Sequence, residues 1–290
     1  MVWDLNPELY QLFGGVSIWY YSLLFATGLM LGYVWVKRQY IRESLSVEHI
    51  DKLAMYIFVG TMLGARLGHC LFYEPDYYLS RPLEMLLPFR WSGAGIEFVG
   101  YSGLASHGGA IAVLLAIVFF SWKTAAALLP ILDKVGVAIP LTGAFIRMGN
   151  FMNSEILGRP TNSVFGVVFS RVDMVARHPA QLYEAVAYLL LFVLLTQVYH
   201  RTRTTKRPGF VFGLFLTLLF SIRILVEFVK IDQVGFEAGM LGNMGQWLSV
   251  PFVLIGLVLM ARGMTREGSG KPVPKPRDAI AKQGDSRARV

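Results

Sequence analysis

Gly143-Ala-Phe-Ile-Arg147-Met-Gly-Asn150-Phe-Met-Asn153-Ser-Glu155-Ile-Leu-Gly158-Arg-Pro160 closes an apolar run that begins near Leu128. Within a few turns the chain passes from aliphatic residues to an arginine, two asparagines, a carboxylate and a second arginine. In water this would be an ordinary polar helix end. At the end of a segment long enough to cross a bilayer it is not, because charges and amides at membrane depth are costly unless paired or used. The run before it is of spanning length, since ~20 apolar residues at ~1.5 Å each match ~30 Å of hydrocarbon.

Six further runs of this kind flank it. Together the seven are Ser17–Val36, Ile50–Tyr73, Leu104–Trp122, Leu128–Met148, Leu182–Tyr199, Gly209–Val229 and Met244–Ala261. The chain is 54% hydrophobic and 16% charged, with mean hydropathy +0.51, which is too apolar for a soluble domain and too patterned for a disordered one. The predicted fold is all-α: a polytopic membrane helix bundle of about seven spans with a small extracytoplasmic cap. Residues 1–265 are predicted to form one membrane-embedded domain with long extracytoplasmic loops at 74–103 and 149–181. The basic, Pro- and Ser-rich tail 266–290 is predicted to be disordered and cytoplasmic. No internal repeat is visible, which weakens a transporter built from inverted halves.

Orientation follows from loop charge. Lys37, Arg38, Arg42 and Lys52 flank the first connection, Lys123 the third, and His200, Arg201, Arg203, Lys206 and Arg207 the fifth; Arg262, Arg266, Lys271, Lys275 and Arg277 follow the last run. Residues 1–16 hold no Lys or Arg. The positive-inside rule puts the N-terminus outside and the C-terminus in the cytoplasm. The net charge of +8 is therefore read as loop asymmetry rather than as nucleic-acid binding. No cleaved signal is evident, so the first run is expected to remain a helix. Cys70 has no intrachain partner for a disulfide. Loops beyond ~15 residues carry function or structure of their own, and Val164-Phe-Gly-Val-Val-Phe169 reads as a short strand in the cap.

With this topology the polar groups of the spans fall on one side. Arg66, His107, Arg147, Asn150, His178, Glu184, Arg223, Glu227 and Gln246 all lie in the outer half of the bilayer or just above it, and the cytoplasmic half is almost plain by comparison. Arg223 and Glu227 are four apart and share a helix face on which they are placed to pair; Arg147 and Asn150, three apart, also share one. Several arginines with a histidine suit an anionic head group, because guanidinium forks match phosphate oxygens bidentately and stay charged. A lone intramembrane arginine can instead lock helices through carbonyls. His107 has three readings: a hydrogen-bonded core residue, a general base, or a phosphate ligand. No histidine spacing suits a metal, and nothing beside Cys70 except Arg66 would activate its thiol.

The ordered motifs resemble those of the bacterial prolipoprotein diacylglyceryl transferase family. They are Tyr20-Tyr21-Ser-Leu-Leu, Gly64-Ala-Arg66-Leu-Gly68, Ser106-His107-Gly-Gly109, Arg147-Met-Gly-Asn150-Phe-Met-Asn153-Ser-Glu155-Ile-Leu-Gly158-Arg159, Arg177-His-Pro-Ala-Gln-Leu-Tyr-Glu184, Arg223-Ile-Leu-Val-Glu227-Phe and Met244-Gly-Gln246. The resemblance implies an inner-membrane enzyme that moves the diacylglyceryl group of phosphatidylglycerol to the lipobox cysteine of a prolipoprotein and releases glycerol phosphate. It implies no metal or nucleotide cofactor. Arg147, Arg223 and His107 are carried over as catalytic residues. Tyr21, Asn150, Glu155 and Gly158, with Arg147 itself, are carried over as substrate-binding ones, and Arg66 and Glu227 of the outer polar cluster are expected to bind substrate with them. Departures are Ser22, where the family has glycine, Lys230, where it often has arginine, and Leu219, where some members have tyrosine.

This chemistry is compatible with the residues. A thiol of pKa ~8.5 needs deprotonation before it attacks, by His107 or by the field of the arginines. The leaving group is a phosphate anion, which Arg147 and Arg223 would clamp. Two other readings compete: an outer-leaflet phospholipid-binding or lipid-transport protein without catalysis, and a structural scaffold. A transporter would need a polar path through the inner half, and a scaffold leaves the outer cluster without a purpose.

Overall fold

The computed structural model describes residues 1–11, 17–87, 89–92, 95–98, 103, 105–202, 207–231 and 242–265. The basic tail predicted for 266–290 lies outside these residues. In chain order the elements are β1 (Val2–Trp3), β2 (Glu8–Gln11), β3 (Ser17–Trp19), α1 (Tyr20–Arg42), α2 (Val47–Phe72), α3 (Pro75–Leu79), α4 (Pro82–Leu86), β4 (Phe89–Ser92) and β5 (Gly95–Phe98). They continue with α5 (Ser106–Thr124), α6 (Leu128–Met152), β6 (Val167–Phe169), β7 (Ala176–Arg177), α7 (Ala180–Arg201), α8 (Phe210–Glu227) and α9 (Met244–Thr265). All seven predicted runs are helices. Six of them, α2 and α5 to α9, are both long and apolar enough to cross a membrane. The first, α1, has the length, with 23 residues. Its last turns carry Lys37, Arg38, Gln39 and Arg42, which dilute its apolar character. The chain is a helical, multi-pass membrane protein.

These elements gather into two compact units: Tyr40–Ile131, and Met1–Gln39 with the chain from Leu132 onward. In the Tyr40–Ile131 unit, α2 presents Gly60, Gly64 and Gly68, spaced four apart, to Ala116, Ala112 and Gly108 of α5. A Cβ on Gly64 would sit 2.1 Å from the Ala112 Cβ and 2.5 Å from the Gly108 carbonyl oxygen. Hydrocarbon offers no hydrophobic drive between helices, so close backbone contact through small residues is what holds such a pair. Beyond α2 the loop folds into α3, α4 and the antiparallel β4–β5 hairpin. Cys70, Tyr78 and Met85 form its small core.

In the other unit Gly28 and Gly32 of α1 admit Thr142 of α6, whose hydroxyl donates to the Gly28 carbonyl at 3.0 Å. Helices α8 and α9 touch at Gly213 and Gly256, and Phe220 stacks on Phe252 with ring centroids 4.3 Å apart. The cap is a three-stranded sheet in the order β1-β6-β7, β1 parallel and β7 antiparallel to β6. The strand predicted within Val164–Phe169 is thus Val167–Phe169. Its side chains close over Phe151 and Leu157, with Trp3 and Leu182 packed against them.

The half of the helices read as almost plain from the sequence buries polar residues of its own, Gln39, Asp133 and Lys134. Asp133 of α6 is fully buried, and its two oxygens accept from the backbone N–H groups of Gly209 and Phe212 at 2.8 Å each. It caps the start of α8 from a neighbouring helix, meeting donors that have no partner within α8 itself. Because α6 and α8 run one way and α1, α7 and α9 the other, this unit has two distinct ends. Tyr21, Glu184 and Gln246 lie in the opening turns of α1, α7 and α9, while Arg147 and Arg223 lie in the closing turns of α6 and α8. All five lie at the end opposite Asp133.

Replacing Gly64 by valine forces α2 and α5 apart. Overpacking of this kind costs about 1–3 kcal/mol, and each kcal/mol lowers the midpoint by roughly 2–4 °C in a chain of this size class. A thermal melt of purified Gly64→Val in detergent is expected to show that loss, with Gly109→Ala, whose added Cβ would meet no atom closer than 3.6 Å, moving it less.

Candidate functional site

The site is built on the turn after α6. Ser154 and Ile156 have φ of 55° and 56°, the left-handed region that L-residues avoid, and most of all a β-branched one. Such backbone costs of order 1–3 kcal/mol per residue and persists only where its surroundings dictate it. Here they do. The Glu155 N–H donates to Asn150 O at 2.9 Å and the Ser154 N–H to Phe151 O at 3.1 Å. The Gln181 side-chain amide donates to the Glu155 carbonyl in a short contact. Arg171 donates to Met152 O at 2.7 Å and to the Ser154 hydroxyl at 2.9 Å. At the rim of the cap, the Arg177 side chain and the Val175 N–H beside Asp173 hold its carboxyl below the usual range.

Beyond the turn, Gly158 is the crossing point of three segments. Its N–H donates to His178 O at 3.1 Å, the Arg159 N–H to Val229 O at 2.7 Å, and the Ile231 N–H to Leu157 O at 3.3 Å. The Arg159 Nε adds a bond to Lys230 O at 2.9 Å. A Cβ on Gly158 would lie 2.3 Å from His178 O and 2.9 Å from Val229 O, so no larger residue fits. The end of α6, the approach to α7 and the end of α8 are therefore stitched together by main chain, independently of any charge.

Onto this frame the side chains converge. Arg147 donates through Nη1 to Asn150 Oδ1 at 3.1 Å, and the Asn150 amide donates to Glu155 Oε2 at 3.1 Å. Asn153 donates to the other oxygen of Glu155 at 3.1 Å. The Nε of Arg147 lies 2.6 Å from Glu184 Oε2, a close charge contact rather than an aligned hydrogen bond. The ammonium of Lys230 donates to Glu184 Oε1 at 2.9 Å and sits 3.1 Å from Glu227 Oε2. Tyr188 points its hydroxyl at Glu184 Oε1, 3.4 Å away, and both Arg147 and Arg223 are near enough to act on that phenol electrostatically. Tyr21 feels the charges of Glu155 and Arg147, and its ring packs on Gly149. The Nε of Arg223 is buried and has no hydrogen-bond partner among the described residues.

Seven of the residues singled out from sequence thus share one end of one unit: Tyr21, Arg147, Asn150, Glu155, Gly158, Arg223 and Glu227. The pairing foreseen between Arg223 and Glu227 does not form. Lys230, three residues on, is buried between Glu227 and Glu184 and takes both carboxylates. The two remaining residues belong to the Tyr40–Ile131 unit. Arg66 is buried, donating to Met85 O at 3.1 Å, Glu84 O at 2.8 Å and the Tyr78 hydroxyl at 3.3 Å. His107 is exposed on the first turn of α5. Gln246 ties α9 to α8 by donating to Ile224 O at 3.2 Å. Among the described residues no three His, Cys, Asp or Glu side chains gather to hold a metal ion.

Glu184 and Lys230 were not singled out as site residues. A signal for Glu184 existed: it is a carboxylate within an otherwise apolar helix, which membrane depth makes expensive. Lys230 follows the last apolar residues of α8 and reads as an ordinary helix-end cation.

Apolar helices with half-buried arginines, a buried lysine and buried carboxylates gathered at one end of the unit define a helical membrane protein with a polar site at its helix ends. A family model described as "Prolipoprotein diacylglyceryl transferase" matches residues 7–262. Relatives named phosphatidylglycerol–prolipoprotein diacylglyceryl transferase agree. The one from Bacteroides fragilis is 48% identical over 259 residues, covering 89% of this chain and 93% of the relative. That from Tolumonas auensis is 49% identical over 261 residues, covering 90% and 96%. That from Chloroherpeton thalassium is 38% identical over 259 residues, covering 89% and 92%. The chain belongs to the prolipoprotein diacylglyceryl transferase family.

Gly158→Ala must push apart the strands that cross at Gly158. The expected outcome is a loss of stability of about 1–3 kcal/mol, with the Glu155 turn more open to protease. Limited proteolysis alongside a thermal melt checks both.

Proposed function

We propose that this protein transfers the diacylglyceryl group of phosphatidylglycerol to the thiol of the lipobox cysteine in prolipoprotein signal peptides. The products are a thioether and glycerol phosphate. The observation that carries the reading is the Arg223 Nε, which is buried and has no hydrogen-bond partner among the described residues, at the same helix ends where Arg147, Lys230 and Glu184 gather. The anionic oxygens of a phosphodiester would supply that partner.

The cluster suits the reaction as well as the ligand. The thiol loses its proton, the sulfur attacks the glycerol carbon, and the carbon–oxygen bond breaks with its electron pair going to phosphate. The phosphate charge rises from one to two as that bond breaks. Donors aimed at it are then worth more in the transition state than in the ground state, which is how binding energy becomes rate. Arg147 and Arg223 are the proposed clamp. Asn150, held by Glu155, fixes one edge of Arg147, and Tyr21 lines the same end. His107 remains the proposed proton acceptor on the strength of its motif, and Arg66 a proposed contributor to lipid binding. The protein is proposed to sit in the bacterial inner membrane with its N-terminus and this end of the helices extracytoplasmic and its C-terminus cytoplasmic. Loop charge and the shared end of Arg147, Glu184 and Arg223 support that orientation.

Incubating the purified protein with phosphatidylglycerol and a lipobox peptide tests the reading. A mass gain of one diacylglyceryl group on the peptide cysteine is expected. Retention of lipid without any mass gain would favour a binding or transport protein instead. In the same assay Arg147→Lys and Arg223→Lys are expected to lose transfer by about 10²-fold or more, because an ammonium cannot reproduce the guanidinium fork. Cys70→Ala is expected to stay active, since Cys70 is buried in the packing of α2 against α3 and α4.

A further inference from the structure

Glu184 has no solvent exposure, yet both of its oxygens are engaged. Oε2 lies 2.6 Å from the Arg147 Nε, and Oε1 accepts from Lys230 at 2.9 Å and from the Tyr188 hydroxyl at 3.4 Å. Lys230 in turn lies 3.1 Å from Glu227 Oε2. Arg147 lies in the closing turns of α6, Glu184 in the opening turns of α7, Glu227 is the last residue of α8 and Lys230 follows it. The line Arg147–Glu184–Lys230–Glu227 therefore joins three helix ends. Arg223 lies one turn before Glu227 on the same face of α8.

A carboxylate that merely bolted α7 to α8 would need Lys230 alone. Glu184 spends its second oxygen on the Nε edge of Arg147, while Asn150 takes Nη1 from another side. A guanidinium is planar and presents its donors in a fixed fork. Holding two of its edges leaves the remaining Nη donors facing one direction. We infer that Glu184 is a positioning residue: it sets the direction in which Arg147 presents its free donors and the separation of Arg147 from Arg223. This rests on the reading that both arginines bind the lipid phosphate. Glu184 itself touches no substrate atom.

Full-length wild type, Glu184→Asp, Glu184→Gln and the double variant Glu184→Gln/Lys230→Met are compared in phosphatidylglycerol nanodiscs with a lipobox peptide. The readouts are kcat, KM for the lipid and a thermal melt. Aspartate keeps the charge but is one methylene too short to reach both Arg147 and Lys230. It is expected to lower kcat about 10²-fold, as displacement of a clamp by ~1 Å does, while KM changes by less than about threefold. Glutamine is expected to lower kcat in the same direction. The double variant restores the charge balance, and is expected to regain thermal stability without regaining kcat. Wild-type kcat in the double variant, or kcat within about threefold of wild type in both single variants, would overturn the inference. An inactive wild type would instead overturn the transferase reading, and the inference with it. If Glu184→Asp does not accumulate, Glu184→Gln and the double variant decide the matter alone.

Discussion

A charge taken out of water must meet a partner, and at one end of this protein that demand organises everything around it. Glu184 is the fully buried carboxylate, and Arg147 and Lys230 are the cations that make it tolerable. Leaving one member of such a group unpaired costs far more than the group contributes when complete. The ends of α6, α7 and α8 are thereby held to one arrangement. The main-chain stitching through Gly158 holds the same ends by a second, uncharged route. With both in place the buried Arg223 Nε is left without a hydrogen-bond partner among the described residues, and that is where the proposed lipid phosphate would bind.

Elsewhere the helices are held by what they lack. Gly64 meets Gly108 and Gly213 meets Gly256 because side chains there would forbid backbone contact. Lipid gives helices no hydrophobic reason to associate, so this packing carries the bundle. Asp133 does related work at the opposite end, supplying from α6 the acceptors that α8 lacks. Rigid ends matter for the proposed function, since two arginines can clamp a phosphate only while their spacing is held.

Much of this was legible in the sequence, for identifiable reasons. Apolar runs of spanning length are a strong signal, and all seven became helices. The polar stretch from Arg147 to Arg159 stood out because hydrocarbon makes such residues expensive. What was not legible depended on partners distant in sequence. Glu227 sits four residues from Arg223 yet turns to Lys230, because Glu184, brought in by α7, draws the lysine between two carboxylates. The left-handed turn at Ser154 and Ile156 carries no glycine to announce it. Val2 and Trp3 form a strand only because Val168 and Phe169 offer an edge from far along the chain. Asp133 lies inside an apolar run, and the N–H groups it caps come from α8, more than seventy residues along the chain.

The central claim is that this end of the protein recognises the lipid by its phosphate charge. The most direct test is a competition for the purified protein between phosphatidylglycerol and a diacylglycerol with the same acyl chains, read by native mass spectrometry. The account predicts that the wild type retains phosphatidylglycerol in preference, and that Arg223→Gln, folded by thermal melt, loses the preference. Equal retention of the charged and the uncharged lipid by the wild type would contradict it.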